Sequence, residues 1–542
     1  AGGRRRAWAG GIRRLPRLAR RCGPGASCAS ARRIFTARTL DLEDIQVIGY
    51  DLDYTLVHYN VEAWEGAVYD ESKRTLRNRG FNVDALQFDP KLVGLGLVID
   101  KRLGNIVKVD SFGYIRKAMR GVEMLSEDQL STTYGPTVRV DLRDERWEFL
   151  NTLFSTASAC LFCQLVDRSD GLEETVCVGD PSEAFGPSTR SCTAFGTPAE
   201  LFDVVSSVVS ETHVAGVLKA RILADPSTYV QLEEEAALAL LDQKLCGKRL
   251  VMITNNDWEY VSSMMAYAYD RFLPAGWTWR SLFDLVITNA QKPDFWTLRL
   301  PCWQVVDEER GLASSKPVPR MQVGGVYCGG SARLVEDCFG CYGEEVMYVG
   351  DHIYSDTNVA KSSLRWRTCL VMRELEAEVR GLVLGQRFRA PLLELLARQD
   401  ELRTRRGELL ARSARRRFGI PPRRGHGGGE GEGAGSRGEA AGALEDELAA
   451  LEGEARGLMA RVAELDGAMG GPAGSDASPR WGFLTRVGMH GKSHLMRQVE
   501  KYADIYTSRV SNFLACTPHA LFRAPLQSDR NFLTVGEEGC QG

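Results

Sequence analysis

The chain has 542 residues, with 68 Lys and Arg against 71 Asp and Glu and a formal net charge of −3. That length exceeds one ordinary core, and the near-neutral sum points to neither a nucleic-acid binder nor an acidic tail protein. With 44% hydrophobic and 26% charged residues the composition is that of a globular chain, and no window of 18 uninterrupted apolar residues argues for a transmembrane helix.

The charge is unevenly spread. Residues 1–40 hold eleven Arg, no Lys and no acid, leaving 57 basic against 71 acidic residues in the rest. Within that Arg-rich segment Trp8, Ile12, Leu15 and Leu18 lie at roughly helical spacing. It reads as the transit peptide of a mitochondrion or chloroplast. The alternative is a disordered basic arm that touches RNA or a membrane surface, with the cytoplasm as the alternative location.

From Ile45 short β-branched runs alternate with helical patterns, which predicts an α/β fold on a doubly wound, mostly parallel sheet. Three runs, IQVIGY (45–50), RLVMIT (249–254) and EVMYVG (345–350), each end at a polar cluster. Ligands bind at such strand ends in open parallel sheets. A core is expected over 41–75 and 240–375. The gap of roughly 200 residues between the first two runs is too long for one crossover, so a cap or substrate domain is expected at 76–239. Its strands would be LGLVID and NIVKVD, and WEFLNTLFSTASACLFCQLV would be a helix.

Residues 376–466 read as a long helical hairpin. Phe388, Leu395, Leu402 and Leu409 recur every seven residues, and Leu444, Leu448, Leu451, Ala455, Leu458, Val462 and Leu465 follow a heptad spacing. Between them a Gly-rich tract, about 419–442, forms a tip unable to bury a core. The stripes fit packing within one chain and also permit a homo-oligomer. A flexible linker at 467–480 leads to a final segment, 481–533, expected to pack on the core.

Fourteen Cys without a regular framework suit free thiols in a reducing compartment. Cys160/Cys163 and Cys338/Cys341 have zinc-like spacing, but no His flanks either pair. The apolar run around Cys160 and Cys163 suits buried thiols better.

The first run leads into Asp51-Leu52-Asp53-Tyr54-Thr55. Two carboxylates at the end of a buried strand carry an electrostatic penalty that a divalent cation offsets, and Mg²⁺ takes carboxylate oxygens together with water and phosphate. Asp51 then suits a nucleophile that forms an aspartyl-phosphate. Asp53 suits the group that protonates the leaving alkoxide and later deprotonates water. Thr254 and Asn255 offer a hydroxyl and backbone N–H groups to a phosphate oxygen. Lys292, before Pro293, offers a point charge. Asp351 would be a further Mg²⁺ ligand, with Asp356 orienting that shell. His58 and His352 read as hydrogen-bond partners behind these groups.

This composite of four elements resembles the motifs of the haloacid-dehalogenase superfamily. GYDLDYTLVHYN, WEFLNTLF, ITNN, QKPDFW, YVGDHIYSD and KYADIYTSRVSNFL further resemble the cytosolic purine 5′-nucleotidase family and its 5′-nucleotidase-domain-containing relatives, intermittently from about Asp41 to Leu533. The resemblance implies Mg²⁺-dependent hydrolysis of nucleoside 5′-monophosphates on a doubly wound core with an inserted cap. By position, Asp51 is its nucleophile and Asp53 its acid and base. Asp51, the Asp53 carbonyl and Asp351 hold magnesium, and Thr254, Asn255 and Lys292 bind phosphate. It also implies that Phe154 stacks on the base, with His213 and Lys219 lining the pocket. The chain departs from the family at Ser206 and Ser210, where an Arg and an Asp read the base. Asn256 replaces a Ser, and Leu95 an Arg. A nucleoside monophosphate or other small phosphomonoester is the expected partner, with no nucleic acid and no membrane. The alternatives are a phosphatase of a non-nucleotide metabolite and a catalytically weak phosphate-binding scaffold.

Overall fold

Seven short strands form the centre of the molecule: Val47–Tyr50 (β1), Arg249–Ile253 (β2), Leu285–Thr288 (β3), Val326–Gly329 (β4), Val346–Gly350 (β5), Arg367–Val371 (β6) and Ile505–Thr507 (β7). They are seen in a computed structural model that describes residues 33–135, 137–176, 197–214, 216–384, 386–418, 420, 437–470, 478, 480–487 and 491–524. The order across the sheet is β7-β6-β5-β1-β2-β3-β4, and every neighbouring pair is parallel. Strands covered on both faces read as continuous apolar runs, and all four residues of β1 and of β3 are buried. Alternate side chains serve opposite faces: Ile48, Met252 and Val286 join one core, while Val47, Val251 and Ile287 join the other.

The chain runs from β1 outward through β2, β3 and β4, then crosses to β5 on the far side of β1. The order therefore reverses at β1, which places a crevice at the carboxyl ends of β1, β2 and β5. Antiparallel strands extend both edges, Ile34–Thr36 on β7 and Cys302–Asp307 on β4. The first corrects the sequence reading: residues 34–40 are not part of a separate basic segment. Ile34–Thr36 completes the main sheet, and Leu40–Asp41 pairs with Leu521–Phe522. Residues 1–32 lie outside the described residues.

Between β1 and β2 the chain adds helices and a second sheet. Asn60 caps helix α1, Val61–Asn78, by accepting from the Glu62 and Ala63 amides. Its buried residues Trp64, Glu65, Val68, Tyr69, Ser72 and Leu76 follow helical spacing. The antiparallel sheet runs in the order Glu123–Met124, Ile115–Arg120, Asn105–Val109, Val98–Asp100, Trp147–Phe149. This revises the expected helix over 147–166. Trp147–Phe149 pairs with Val98–Asp100 as an edge strand, and helix α2 spans Thr156–Val176. Helix α3, Pro198–Val214, follows.

Beyond β6 the helix Leu375–Leu384 sits on the body, with Leu375 and Val379 buried. It is followed by two long helices, Gln386–Arg417 and Arg437–Gly470. Their seam contains Leu392 and Leu396 against Val462. Arg398–Glu454 at 2.9 Å and Arg405–Glu447 at 2.9 Å cross it in antiparallel register. The second helix begins at 437, so 437–442 belong to it and not to the tip; 421–436 lie outside the described residues. The side chains of Phe388 and Leu444 are also outside them.

The C-terminal stretch binds both sheets: β7 lies in the main one, and Lys108 Nζ of the second donates to the Trp481 carbonyl at 2.7 Å. Among the described residues no helix is long and apolar enough to cross a membrane.

Candidate active site

The crevice gathers residues from four strand ends. Asp51 follows β1, and its amide donates to the Val349 carbonyl at 2.9 Å, so the ladder between β1 and β5 carries it to the rim. Its Oδ1 accepts from the Leu52 amide at 2.8 Å and lies 2.8 Å from Lys292 Nζ. Lys292 also lies 2.9 Å from Asp356 Oδ1 and donates to the Tyr348 hydroxyl at 3.0 Å. The Tyr348 hydroxyl in turn donates to the Ile253 carbonyl at 2.9 Å. A buried lysine is thereby held between two carboxylates and a phenol. Burial alone would lower its pKa, but Asp356 and Asp51 outweigh that and hold it well above the usual value.

Two glycines make room for this arrangement. A Cβ on Gly350 would meet Asp356 Oδ2 at 2.5 Å, and one on Gly49 would meet the Tyr348 ring at 2.8 Å. Glycine inside a strand often marks such a close approach.

Lys292 is reached through a loop with left-handed φ at Asn289 (47°) and Gln291 (60°). Asn255, after β2, anchors it. Its Oδ1 accepts from the Lys292 amide at 2.7 Å, and its Nδ2 donates to the Lys292 carbonyl at 3.2 Å. The Asn255 side chain thus holds the lysine loop, which leaves only its backbone N–H for the phosphate contact expected of it. Thr254 is buried; its hydroxyl oxygen accepts from the Asn256 amide and Nδ2 at 3.2 and 3.3 Å, which leaves the hydroxyl proton to donate elsewhere.

Asp53 is held on both oxygens. Tyr59 donates to Oδ1 at 2.6 Å and Asn256 Nδ2 to Oδ2 at 2.7 Å. Burial raises its pKa, and these two hydrogen bonds pull it back.

Oxygens of Asp51, Asp351 and Asp356 lie within 4.8 Å of one another. Burial pushes Asp51 up to about 6 against the pull of Lys292. Asp351 is raised well above the carboxylate range by burial, then by Asp51 and Asp356. Its Oδ2 lies 3.5 Å from the Thr152 hydroxyl. With Asp53, the crevice gathers four carboxylates against Lys292 and, on the Asp53 side, Lys219, an excess of negative charge that a divalent cation fits.

Of the histidines, His352 caps the turn Ile353–Asn358. Its Nδ1 accepts from Tyr354 and Ser355, and its amide donates to Asp356 Oδ2 at 3.2 Å. His58 is buried, and among the described residues neither ring nitrogen has a hydrogen-bond partner. It makes no hydrogen bond to the aspartates among the described residues, unlike the supporting partner that its place in the sequence suggested.

Phe154 packs edge-on against Tyr54 at 4.9 Å and Trp64 at 6.0 Å, beside the Asp53 loop. Lys219 reaches the same side of the crevice, 3.1 Å from Asp257 Oδ2 and 5.2 Å from the centre of the Tyr260 ring. His213 lies on α3, with its side chain outside the described residues. Tyr59, Tyr348 and Glu65 were missed by the sequence reading. Glu65 is fully buried, and its Oε2 accepts from the Ala157 amide at 3.0 Å at the start of α2. The Gly49 signal pointed to a bulky neighbour such as Tyr348; a carboxylate amid an apolar helix face was the signal for Glu65.

A 5′-nucleotidase domain-containing protein of Dictyostelium discoideum is 26% identical over 377 residues, 68% of this chain and 60% of that one. 5′-Nucleotidase domain-containing protein 2 of Rattus norvegicus is 27% identical over 369 residues, 64% of this chain and 60% of that one. The chain thus matches about 60% of the length of these relatives. A solved β-phosphoglucomutase from Pyrococcus sp. strain ST 04 superposes at a TM-score of 0.26 with 10% identity, covering 60% of this chain and 86% of that one, a likeness too slight to carry weight. A profile of the 5′ nucleotidase family matches residues 34–529. That span takes in both sheets and every strand end of the crevice, and the chain belongs to the 5′ nucleotidase family.

Proposed function

We propose that the protein is a Mg²⁺-dependent phosphomonoesterase that hydrolyses nucleoside 5′-monophosphates through an aspartyl-phosphate on Asp51. One observation carries the reading. Asp51 sits 2.8 Å from a buried lysine, and Asp53, two residues on, is held on separate partners. One carboxylate is thus placed with a phosphate-binding charge and the other is kept apart for proton work.

In this mechanism Lys292 and the Thr254 hydroxyl bind the phosphoryl oxygens and orient phosphorus toward Asp51. Asp51 attacks, and Asp53 gives a proton to the departing ester oxygen. Asp53 then removes a proton from water as that water attacks the aspartyl-phosphate. Asp51, the Asp53 main-chain carbonyl and Asp351 would hold magnesium, with Asp356 behind them. When bound, the ion supplies positive charge to the phosphoryl oxygens and offsets the carboxylate excess. Asp356 also holds Lys292, so it serves the phosphate side of the site too.

Phe154, His213 and Lys219 are the proposed contacts to the organic part of the substrate. A second reading, a phosphatase of a non-nucleotide metabolite, is favoured by Ser206 and Ser210, which carry no charge where the purine enzymes read the base. The reading includes an organelle, mitochondrion or chloroplast, supported by an Arg-rich stretch that lies almost wholly ahead of the family match.

The test is phosphate release from a panel of nucleoside monophosphates and sugar phosphates in Mg²⁺, with Asp51→Asn as the control. Turnover of at least one nucleotide that Asp51→Asn abolishes is expected. Full activity in that variant sinks the mechanism, and preference for sugar phosphates selects the second reading.

A further inference from the structure

Asp53 accepts from two neutral side-chain donors of different kind. Asn256 Nδ2, 2.7 Å from Oδ2, can only donate, so Oδ2 is an acceptor in every protonation state. The Tyr59 hydroxyl, 2.6 Å from Oδ1, can donate or accept. It also lies 2.9 Å from the Tyr260 hydroxyl, so its hydrogen has two places to point. Tyr59 and Tyr260 are 2% and 1% exposed, which seals this pair from bulk water. Tyr260 is itself set in place: its amide donates to Asp257 Oδ1 at 2.9 Å, and Lys219 lies over its ring.

We infer that Tyr59 and Asn256 are positioning residues that make Asp53 a one-sided proton carrier, with Oδ1 the oxygen that gives and takes the proton and Oδ2 the fixed acceptor. The inference rests on the phosphomonoesterase reading. In the first step an Asp51 oxygen bonds to phosphorus and the bond from phosphorus to the ester oxygen breaks. The ester oxygen keeps the bonding pair and takes the proton from Asp53 Oδ1. Tyr59 then turns its hydrogen from Tyr260 onto the new carboxylate oxygen. In the second step Oδ1 takes a proton from water as the water oxygen bonds to phosphorus and the bond from phosphorus to Asp51 breaks. The Tyr59 hydrogen swings back to Tyr260. A serine in place of Asn256 has a hydroxyl that both donates and accepts, and so leaves the choice of oxygen open; the amide in this chain closes it.

The distinction shows in the leaving group. A nucleoside 5′-alkoxide needs a proton to depart, whereas 4-nitrophenolate does not. Single turnovers with enzyme in excess isolate this step. In Tyr59→Phe, nucleoside release from its 5′-monophosphate is expected to slow by about tenfold or more, with 4-nitrophenol release from 4-nitrophenyl phosphate changed by less than about threefold. Asn256→Ser is expected to move the same ratio less far. Equal slowing on both esters, or none on either, overturns the inference. If Tyr59→Phe does not fold, the ratio in Asn256→Ser decides. A wild-type protein that turns over neither ester overturns the phosphomonoesterase reading instead.

Discussion

Asn255 grips Lys292 by its main chain, accepting from the amide at 2.7 Å and donating to the carbonyl at 3.2 Å. One carboxamide thus fixes the loop whose lysine lies 2.8 Å from Asp51. A misplacement of about 1 Å at such a site costs up to about a hundredfold in rate. Asn255→Ala is expected to lower kcat/KM by about tenfold, through both constants, while Lys292→Ala costs about a thousandfold. Steady-state kinetics on one phosphomonoester checks this. An unchanged kcat/KM in Asn255→Ala would mean that the loop holds itself.

Gly350 offers a second lever on the same lysine. A methyl there would lie 2.5 Å from Asp356 Oδ2, so the carboxylate must leave its place beside Lys292. Gly350→Ala is expected to cost about 1–3 kcal/mol of stability and most of the activity. Gly350→Ala with wild-type kcat would show that Asp356 is dispensable to the position of Lys292. Urea titration and kcat measured on the same preparation separate the two effects.

The parts of the site that were legible in the sequence are those set by local rules. Asp51, Thr254 and Asp351 each follow a short apolar run, and parallel strands present their carboxyl ends to ligands. Their partners were not legible, because they arrive from elsewhere: Asn256 is 203 positions from Asp53 and Tyr348 is 56 from Lys292. Nor does a histidine beside an aspartate announce its bonding, and His58 has no hydrogen-bond partner among the described residues. Local pattern also failed where a strand was too short to show its period. Trp147–Phe149 has only three residues before a genuine helical run, and pairing with Val98–Asp100 decided its state. Ile34–Thr36 was hidden by the arginines around it, although its β-branched pair suits an edge strand.

Glu65 makes stability depend on pH with a definite sign. Burial pushes its carboxyl up to about 8 from an ordinary 4.5. Between these values the folded protein keeps the proton that the unfolded chain has released. The unfolded state then binds fewer protons, so stability is full below pH 4.5 and falls as pH rises toward 8. Gln cannot ionise. The stability of Glu65→Gln relative to wild type is therefore expected to rise by about 1.4 kcal/mol per pH unit in that window. Urea unfolding of both proteins at pH 5, 6 and 7 measures it. A difference that stays constant across the three would show that Glu65 folds as a carboxylate.

Magnesium is testable without turnover, because the carboxylate excess predicts opposite effects of one substitution. Asp351 is raised by burial and then by Asp51 and Asp356, so ionising it in the metal-free protein is unfavourable. Asp351→Asn removes that repulsion and is expected to raise the Tm measured in EDTA. The same change removes a proposed ligand, so the Tm gain on adding millimolar Mg²⁺, expected for the wild type by mass action, should disappear. The two melting curves then cross: the variant is the more stable protein without the ion, and its advantage shrinks or reverses with it. A variant that keeps the full Mg²⁺ increment would remove Asp351 from the metal site. A wild type with no increment at ligand-saturating Mg²⁺ would remove magnesium from the proposed function.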